Sequence, residues 1–258
     1  MVDKNKNKEL IKEHWEKTAR DYQKHRDITY ESLNFGLFGS IPDEDALLGD
    51  VKGKKVIELG CGGGEGSITL ALRGALCTGI DMCETQLQIA KQRAKERNVN
   101  VKFLLGDIEN LSMLDADQFD MAFSIFCFDW AQDLAKVFKE AWRVLKDDGI
   151  LVFTTQHPVF NCMPSDLKKP YFKISYFQEH ITEKGDDGIT ITYLHPRVSD
   201  VFNSLVENGF RVEKLIEPQP TEAQVRDTQK YTGYLKNAGK LADLVPTSLT
   251  FKAKAIKK

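Results

Sequence analysis

From residue 54 to residue 154, short and nearly continuous apolar runs alternate with segments whose apolar positions recur every three or four residues. The runs at 55–59, 75–80, 101–105, 119–124 and 149–154 have the length and composition of strands buried on both faces. Between them, residues 84–98 place Leu87, Ala90 and Ala94 on one helical face, with acid at the start and base at the end as the helix dipole prefers. After Asp133, a good N-cap, Leu134, Val137, Phe138, Ala141 and Leu145 repeat at helical spacing. Strands alternating with crossover helices predict a mostly parallel sheet covered on both sides.

The pattern continues more sparsely. A helix is predicted from Ser199, as N-cap, to residue 208, with Gly209 in the left-handed position that ends it. A strand at 210–216, a polar and partly helical stretch at 221–243 and a closing strand at 248–256 follow, bringing the sheet to seven strands. Upstream, Ile11, Trp15, Thr18 and Tyr22 share one face of a helix over 8–25 that lies outside this rhythm. The connection at 158–196 is long and carries Tyr171, Phe172, Tyr176, Phe177 and Tyr193. Its alternating run at 189–193 predicts a hairpin, and a long aromatic insertion of this kind suits an active-site lid.

With 258 residues the chain has room for one α/β domain with an insertion or for two small domains. No apolar run reaches the about 18–20 residues needed to span a bilayer. The N-terminal stretch is rich in Lys and Asn with no apolar core behind it, so it reads as neither secretory signal nor lipid anchor, and a cytoplasmic location is expected. The formal charge of -2, with no basic stripe, argues against nucleic acid as a partner. The Lys-rich ends, 4–8 and 252–258, read as solvated tails. Five scattered cysteines without a CxxC pair predict free thiols and no structural metal.

The strand at 55–59 runs into Gly60-Cys61-Gly62-Gly63-Gly64-Glu65-Gly66. Glycines at the carboxyl end of a parallel strand let backbone approach a ligand closely, which is where doubly wound sheets bind cofactors. In a dinucleotide fingerprint counted from Gly60 the third glycine falls at position 65, where this chain has Glu65, and a carboxylate there would repel a pyrophosphate. No Tyr-x-x-x-Lys proton donor is recognisable either, so an NAD(P)-dependent oxidoreductase is the weaker reading.

Residues 58–64, Glu58-Leu59-Gly60-Cys61-Gly62-Gly63-Gly64, resemble the first motif of the class I S-adenosylmethionine-dependent methyltransferases, specifically the small-molecule group known as methyltransferase type 11. The resemblance implies a Rossmann-like doubly wound α/β fold: a mostly parallel seven-stranded sheet with helices on both faces and an antiparallel last strand. Residues 1–50 would form an N-terminal helical cover, and 51–258 the cofactor-binding domain with its acceptor lid at 158–196. It implies that Glu58, Gly60, Cys61 and Gly62 surround the methionine part of S-adenosylmethionine, and that Asp81, in Gly79-Ile80-Asp81-Met82, takes the ribose hydroxyls. Asp107 would meet the adenine amino group with Ile108 on the ring, Ser124 ends the fourth strand beside the loop, and Tyr22 reaches over from the cover. Asp107 as a plain helix N-cap is the bland alternative. Two departures stand out: Asp129 where a histidine is common, and Asp148 in place of the first glycine of the turn into strand five.

Methyl transfer from a sulfonium is an in-line displacement that rests on alignment and dehydration. A hydroxyl or C–H acceptor also needs a base, for which Asp129 and His157 are the candidates, although a histidine before proline often only fixes a loop. The expected protein is a monomer or homodimer that methylates a small molecule and releases S-adenosylhomocysteine. A regulatory protein that binds the cofactor without catalysis is the non-enzymatic alternative.

Overall fold

A computed structural model describes residues 3–257 apart from 27, 38–40, 42–43, 164–170, 223, 225–240 and 243. The chain opens with α1 (Lys4–Lys24) and the short α2 (Glu44–Leu48). Strand and helix then alternate through β1 (Lys55–Leu59), α3 (Glu65–Leu72), β2 (Leu76–Asp81), α4 (Glu84–Glu96), β3 (Val101–Leu105), β4 (Phe119–Ile125), a 3-10 turn at Phe128–Trp130, α5 (Leu134–Val144) and β5 (Leu145–Gln156). After these come α6 (Pro158–Asn161), β6 (His180–Lys184), β7 (Thr190–Leu194), α7 (Val198–Glu207), β8 (Phe210–Ile216) and β9 (Ser248–Ala255).

Seven strands make one sheet in the order β3-β2-β1-β4-β5-β9-β8. Strands β1 to β5 are parallel, while β9 runs antiparallel to both β5 and β8. This is the expected doubly wound, Rossmann-like sheet with a reversed last strand. Its order turns back between β1 and β4, so the loops leaving those strands part to opposite faces and open a crevice at the carboxyl ends. Side-chain alternation along the strands divides the core in two. Ile57, Leu59, Ala122 and Phe153 face α5 and α7, whereas Val56, Met121, Phe123 and Val152 face α2 and α3.

Several boundaries differ from the sequence reading, each for a local reason. The helix α1 starts at Lys4 rather than residue 8, because the Asp3 carboxylate accepts from the amides of Asn5 and Lys6 (3.1 and 3.2 Å). Residues 4–8 are therefore helical and engaged rather than a solvated tail: Lys8 lies 2.7 Å from Asp107 and 2.9 Å from Glu109. At the other end Lys252 and Lys254 belong to β9, and Lys257 reaches Asp117 and the Trp142 ring. Ser199 sits inside α7, whose first turn is tied by Asp200 accepting from the Arg197 amide (3.1 Å). Strand β5 begins at Leu145, pairs it with Phe119, and shifts register before Ile150 meets Met121. Asp148 adopts φ +60° in that irregularity, the left-handed conformation an aspartate tolerates better than most residues. The polar stretch expected at 221–243 falls largely outside the described residues.

The strands β6 and β7 form a separate two-stranded sheet that fastens onto α1. Thr192 donates its amide to Asn7 Oδ1 (3.0 Å) and accepts from Asn7 Nδ2, so one side chain partners the backbone of β7 as a further strand would. His14 pairs with Asp187 at the hairpin turn (2.9 Å). Among the described residues no helix is long and apolar enough to cross a membrane.

Gly209 follows α7 at φ +84°, and a Cβ there would stand 2.7 Å from Trp142 Nε1. Left-handed backbone and the clash together make Gly209→Ala destabilising by about 1–3 kcal/mol. Urea denaturation would measure it, and an unchanged midpoint would contradict this account of the helix terminus.

Candidate functional site

At the end of β1 the chain turns through Gly60, Gly62 and Gly64, all at positive φ (+75°, +48° and +80°). A Cβ on Gly60 would lie 2.0 Å from Cys127 Sγ, so this turn can form beside β4 only without a side chain. At Gly62 a Cβ would only touch the Gln23 and Gln86 side chains at ordinary contact distance (3.9 Å), so here it is the left-handed backbone rather than a clash that calls for glycine. The Gly62 amide donates to Asp81 Oδ2 (2.8 Å) and the Cys83 amide to Asp81 Oδ1 (2.9 Å). Asp81 thus ties the glycine turn to the end of β2. Burial raises its pKa, and the bonds from Cys83 and Gly62 oppose the rise.

Glu58 is buried beneath the same turn and accepts from the Ser67 amide (2.7 Å) and hydroxyl (2.6 Å). It fastens the first turn of α3 to β1. Burial pushes its carboxyl up to about 8, against the two bonds from Ser67. Cys61 is buried as well, its thiol pushed well above its ordinary range by burial. Ser124 is fully buried and donates its hydroxyl to the Leu59 carbonyl (2.7 Å), a clamp between β4 and β1.

Past β3, Asp107 does not cap an α-helix; residues 107 and 110 form an isolated bridge. Its Oδ1 accepts from the Glu109 amide (2.9 Å) and its Oδ2 from Lys8 (2.7 Å). Ile108 is buried in the core cluster, and Met82 packs with Ile11, Trp15 and Trp130. Tyr22 is 44% exposed, edge-on to Trp15 at 5.3 Å between ring centroids.

A polar group over the glycine turn has no counterpart in the sequence reading. Arg93 donates to Glu65 (2.8 Å), to Gln23 (2.8 Å) and to the Gly63 carbonyl (3.3 Å), while Arg26 lies 3.2 Å from Glu65 and donates to Tyr22 (3.3 Å). These partners come from α1, α3 and α4 and carry no local signature. Two guanidinium groups share the Glu65 carboxylate, so its charge would not repel a phosphate; the glycine spacing and the missing Tyr-x-x-x-Lys donor are what disfavour a nicotinamide dinucleotide.

On the β4 and β5 side, Asp129 accepts from the Gln156 amide (3.1 Å). Burial pushes its carboxyl to about 7, with that amide opposing. His157 caps α6: the Val159 amide donates to Nδ1 (3.2 Å), so the proton resides on Nε2, which donates to Glu217 (2.9 Å). Burial lowers its pKa against the pull of Glu217. Both ring nitrogens of the neutral imidazole are thereby used, and the residue fixes the turn after β5. Trp130 contacts Trp15 (5.2 Å), His14 (6.1 Å) and Tyr193 (5.9 Å) across the cover. Of the insertion's other aromatics, Tyr171, Phe172 and Phe177 are exposed rather than forming a wall, and Ile189 and Ile191 supply the hairpin's face toward α1. No cluster of potential metal ligands occurs among the described residues.

Residues 57–153 match the family described as Methyltransferase domain. The chain is 36% identical over 105 residues to the ubiquinone biosynthesis O-methyltransferase of Coxiella burnetii, a match spanning 41% of this chain and 44% of that enzyme. The enzyme of the same name from Pseudomonas putida is 37% identical over 113 residues, 44% of this chain and 47% of that one. The match therefore spans less than half the length of these relatives. An S-adenosylmethionine-dependent methyltransferase structure from Mesorhizobium loti is similar with TM-score 0.66 and 26% identity, covering 81% of this chain and 94% of that one. A putative one from Listeria monocytogenes shares the fold with TM-score 0.69 at 24% identity, covering 83% and 95%.

A carboxyl held up to about 8 from an ordinary 4.5 means that the fold favours the protonated Glu58. Its contribution to stability is present below about 4.5 and is lost as pH rises through about 8. Thermal melts of Glu58→Gln, which keeps an acceptor for Ser67 and has no charge to bury, should show a smaller fall between those two pH values than the wild type. Parallel pH profiles would refute this reading of Glu58.

Proposed function

We propose that the protein, whose residues 57–153 match the family described as Methyltransferase domain, is an S-adenosylmethionine-dependent methyltransferase acting on a small-molecule acceptor. The observation that carries this reading is the glycine turn at the end of β1 lashed to a half-buried acid at the end of β2: Gly60, Gly62 and Gly64 hold left-handed backbone, and the Gly62 amide donates to Asp81. Backbone N–H groups of Gly62 and Cys83 orient the two Asp81 oxygens, and a carboxylate with two acceptor oxygens suits the two hydroxyls of a ribose.

The backbone of Gly60, Cys61 and Gly62 would hold the methionine part. Above it, Arg26 and Arg93 share the one carboxylate of Glu65, which leaves positive charge, with the Tyr22 hydroxyl beside it, for an α-carboxylate. Asp107 would read the adenine amino group, with Met82 and Ile108 near the ring. Glu58 and Ser124 act one step back, holding the strands and helix that shape the turn. When bound, the sulfonium nucleoside supplies an activated methyl group; the chain's own part is to align the acceptor and keep water out.

Of the two candidate bases, Asp129 is the one whose surroundings fit proton transfer near neutrality, since burial brings it to about 7. His157 orients the turn beside it. A hydroxyl acceptor accords with the name of the O-methyltransferase relatives. A small acceptor rather than nucleic acid accords with the charge of -2 and with the aromatic contacts of Trp15, Trp130 and Tyr193. In this reading residues 1–50 are the cover and 158–196 the acceptor lid of a domain formed by 51–258. Five unpaired thiols accord with a cytoplasmic protein, acting as a monomer or homodimer.

Calorimetry on the purified protein should detect S-adenosylmethionine and S-adenosylhomocysteine and no NAD(H). The substitution Asp81→Ala should weaken S-adenosylhomocysteine by about 1.5–3 kcal/mol, the scale of charge-assisted hydrogen bonds. Equal affinity in a folded Asp81→Ala variant, or binding of NAD(H) instead, would defeat the assignment. With an acceptor found by a screen for released S-adenosylhomocysteine, turnover should rise with pH through about 7 and Asp129→Asn should abolish that limb while sparing cofactor affinity. Cofactor binding without product from any acceptor would favour the regulatory alternative.

A further inference from the structure

The helix α1 brings a cation onto the acid that the proposed cofactor site assigns to adenine. Lys8 Nζ lies 2.7 Å from Asp107 Oδ2 and 2.9 Å from Glu109 Oε2. The other Asp107 oxygen is taken by the Glu109 amide at 2.9 Å, so Oδ2 is the oxygen left to approach from outside, and the ammonium stands on it. The Asp107 side chain is 30% exposed, within reach of a ligand, whereas that of Glu109 is 5% exposed and pinned through Oε1 by the Gln132 amide (2.6 Å). Lys8 remains charged here: burial opposes the ammonium, but its bonds to Asp107 and Glu109 outweigh that and raise its pKa.

We propose that Lys8 gates the adenine subsite: its ammonium competes with a purine amino group for Asp107 Oδ2 and withdraws onto Glu109 when that group binds. The inference rests on the cofactor reading given above and adds a regulator to it. The geometry provides the withdrawn state, since the second carboxylate is already in contact and keeps the ammonium paired. Once Lys8 has moved, Asp107 Oδ2 is left as a free hydrogen-bond acceptor, which is what an exocyclic amine needs. Because Lys8 is fixed to α1, the exchange is linked to how that helix is seated. The same helix is also anchored to the first turn of α4 by Glu16, which accepts from the Glu84 and Thr85 amides (2.6 and 3.1 Å), and by Gln23, which donates to Gln86 (2.9 Å). Affinity for the purine is thus set against one of the contacts that holds the cover down.

The test compares S-adenosylhomocysteine binding by calorimetry in wild type, Lys8→Met, Asp107→Asn and the double variant, with folding checked by circular dichroism. Methionine keeps the stem and removes the ammonium. The gate predicts that Lys8→Met binds about two- to fivefold more tightly, the scale of a partly exposed ion pair, and that the gain disappears in the Asp107→Asn background. Without ligand, hydrogen exchange of the α1 amides should be faster in Lys8→Met than in wild type. Equal or weaker binding by folded Lys8→Met overturns the gate, as does a gain that persists without Asp107. Loss of S-adenosylhomocysteine binding by the wild type itself would instead remove the cofactor reading, and unchanged α1 exchange would remove the link to the cover.

Discussion

The site depends on the lashing of the glycine turn to β2. Parallel pairing sets Leu59 against Ile80, and the amides of both Gly60 and Cys61 converge on the Ile80 carbonyl (2.8 and 2.9 Å) before Gly62 reaches Asp81. Three successive bonds from one turn to one neighbouring strand leave little freedom in the backbone between them. That rigidity holds the left-handed backbone of Gly62 in place beside a packed core. The strand order supplies the rest: with β4 on the other side of β1, Cys127 presses on Gly60 and Ser124 clamps Leu59, so the turn is held from both flanks.

The carboxyl edge of the sheet is rich in acids, and the way they are compensated explains how the N-terminal helix is seated. Glu58 and Asp129 are buried without a cation, and their carboxyls are pushed up to about 8 and about 7. Asp107, Glu109 and Glu65 are instead met by Lys8, Arg26 and Arg93, of which the first two come from α1 and the residues just after it. The helix therefore docks as a countercharge as much as through Ile11 and Ala19 in its buried face. The uncompensated acids are suited to holding protons near neutrality.

What was legible in the sequence was whatever is encoded within a few residues. Apolar runs of strand length located β1 to β5, the helical spacing after Asp133 located α5, and the requirement for positive φ identified the glycine turn and Gly209. Asp148, a departure from the expected glycine, still occupies the left-handed conformation that position needs. The contacts that were not legible join residues far apart in the chain. Lys8 looked like part of a solvated tail because Asp107 is 99 positions away, and Gln23 meets Arg93 across 70. His157 could be read equally as base or loop fixer, and the choice depends on Glu217, 60 residues on, which no local pattern connects to it.

One buried side chain joins these remote contacts into a unit. Gln132 follows the 3-10 turn after β4; its amide donates to Glu109, its Oε1 accepts from Asn7 on α1 (2.8 Å), and its Nε2 donates to the carbonyls of Ala131 and Thr192, the latter on β7. Asn7 in turn exchanges two bonds with Thr192. The cover, the hairpin and the loop after β3 thus share a polar network that has little access to water. Unpaired members of such a network would each carry a desolvation penalty, so its parts favour moving together over parting one at a time. Displacing any one of these side chains therefore disturbs both the helix and the hairpin.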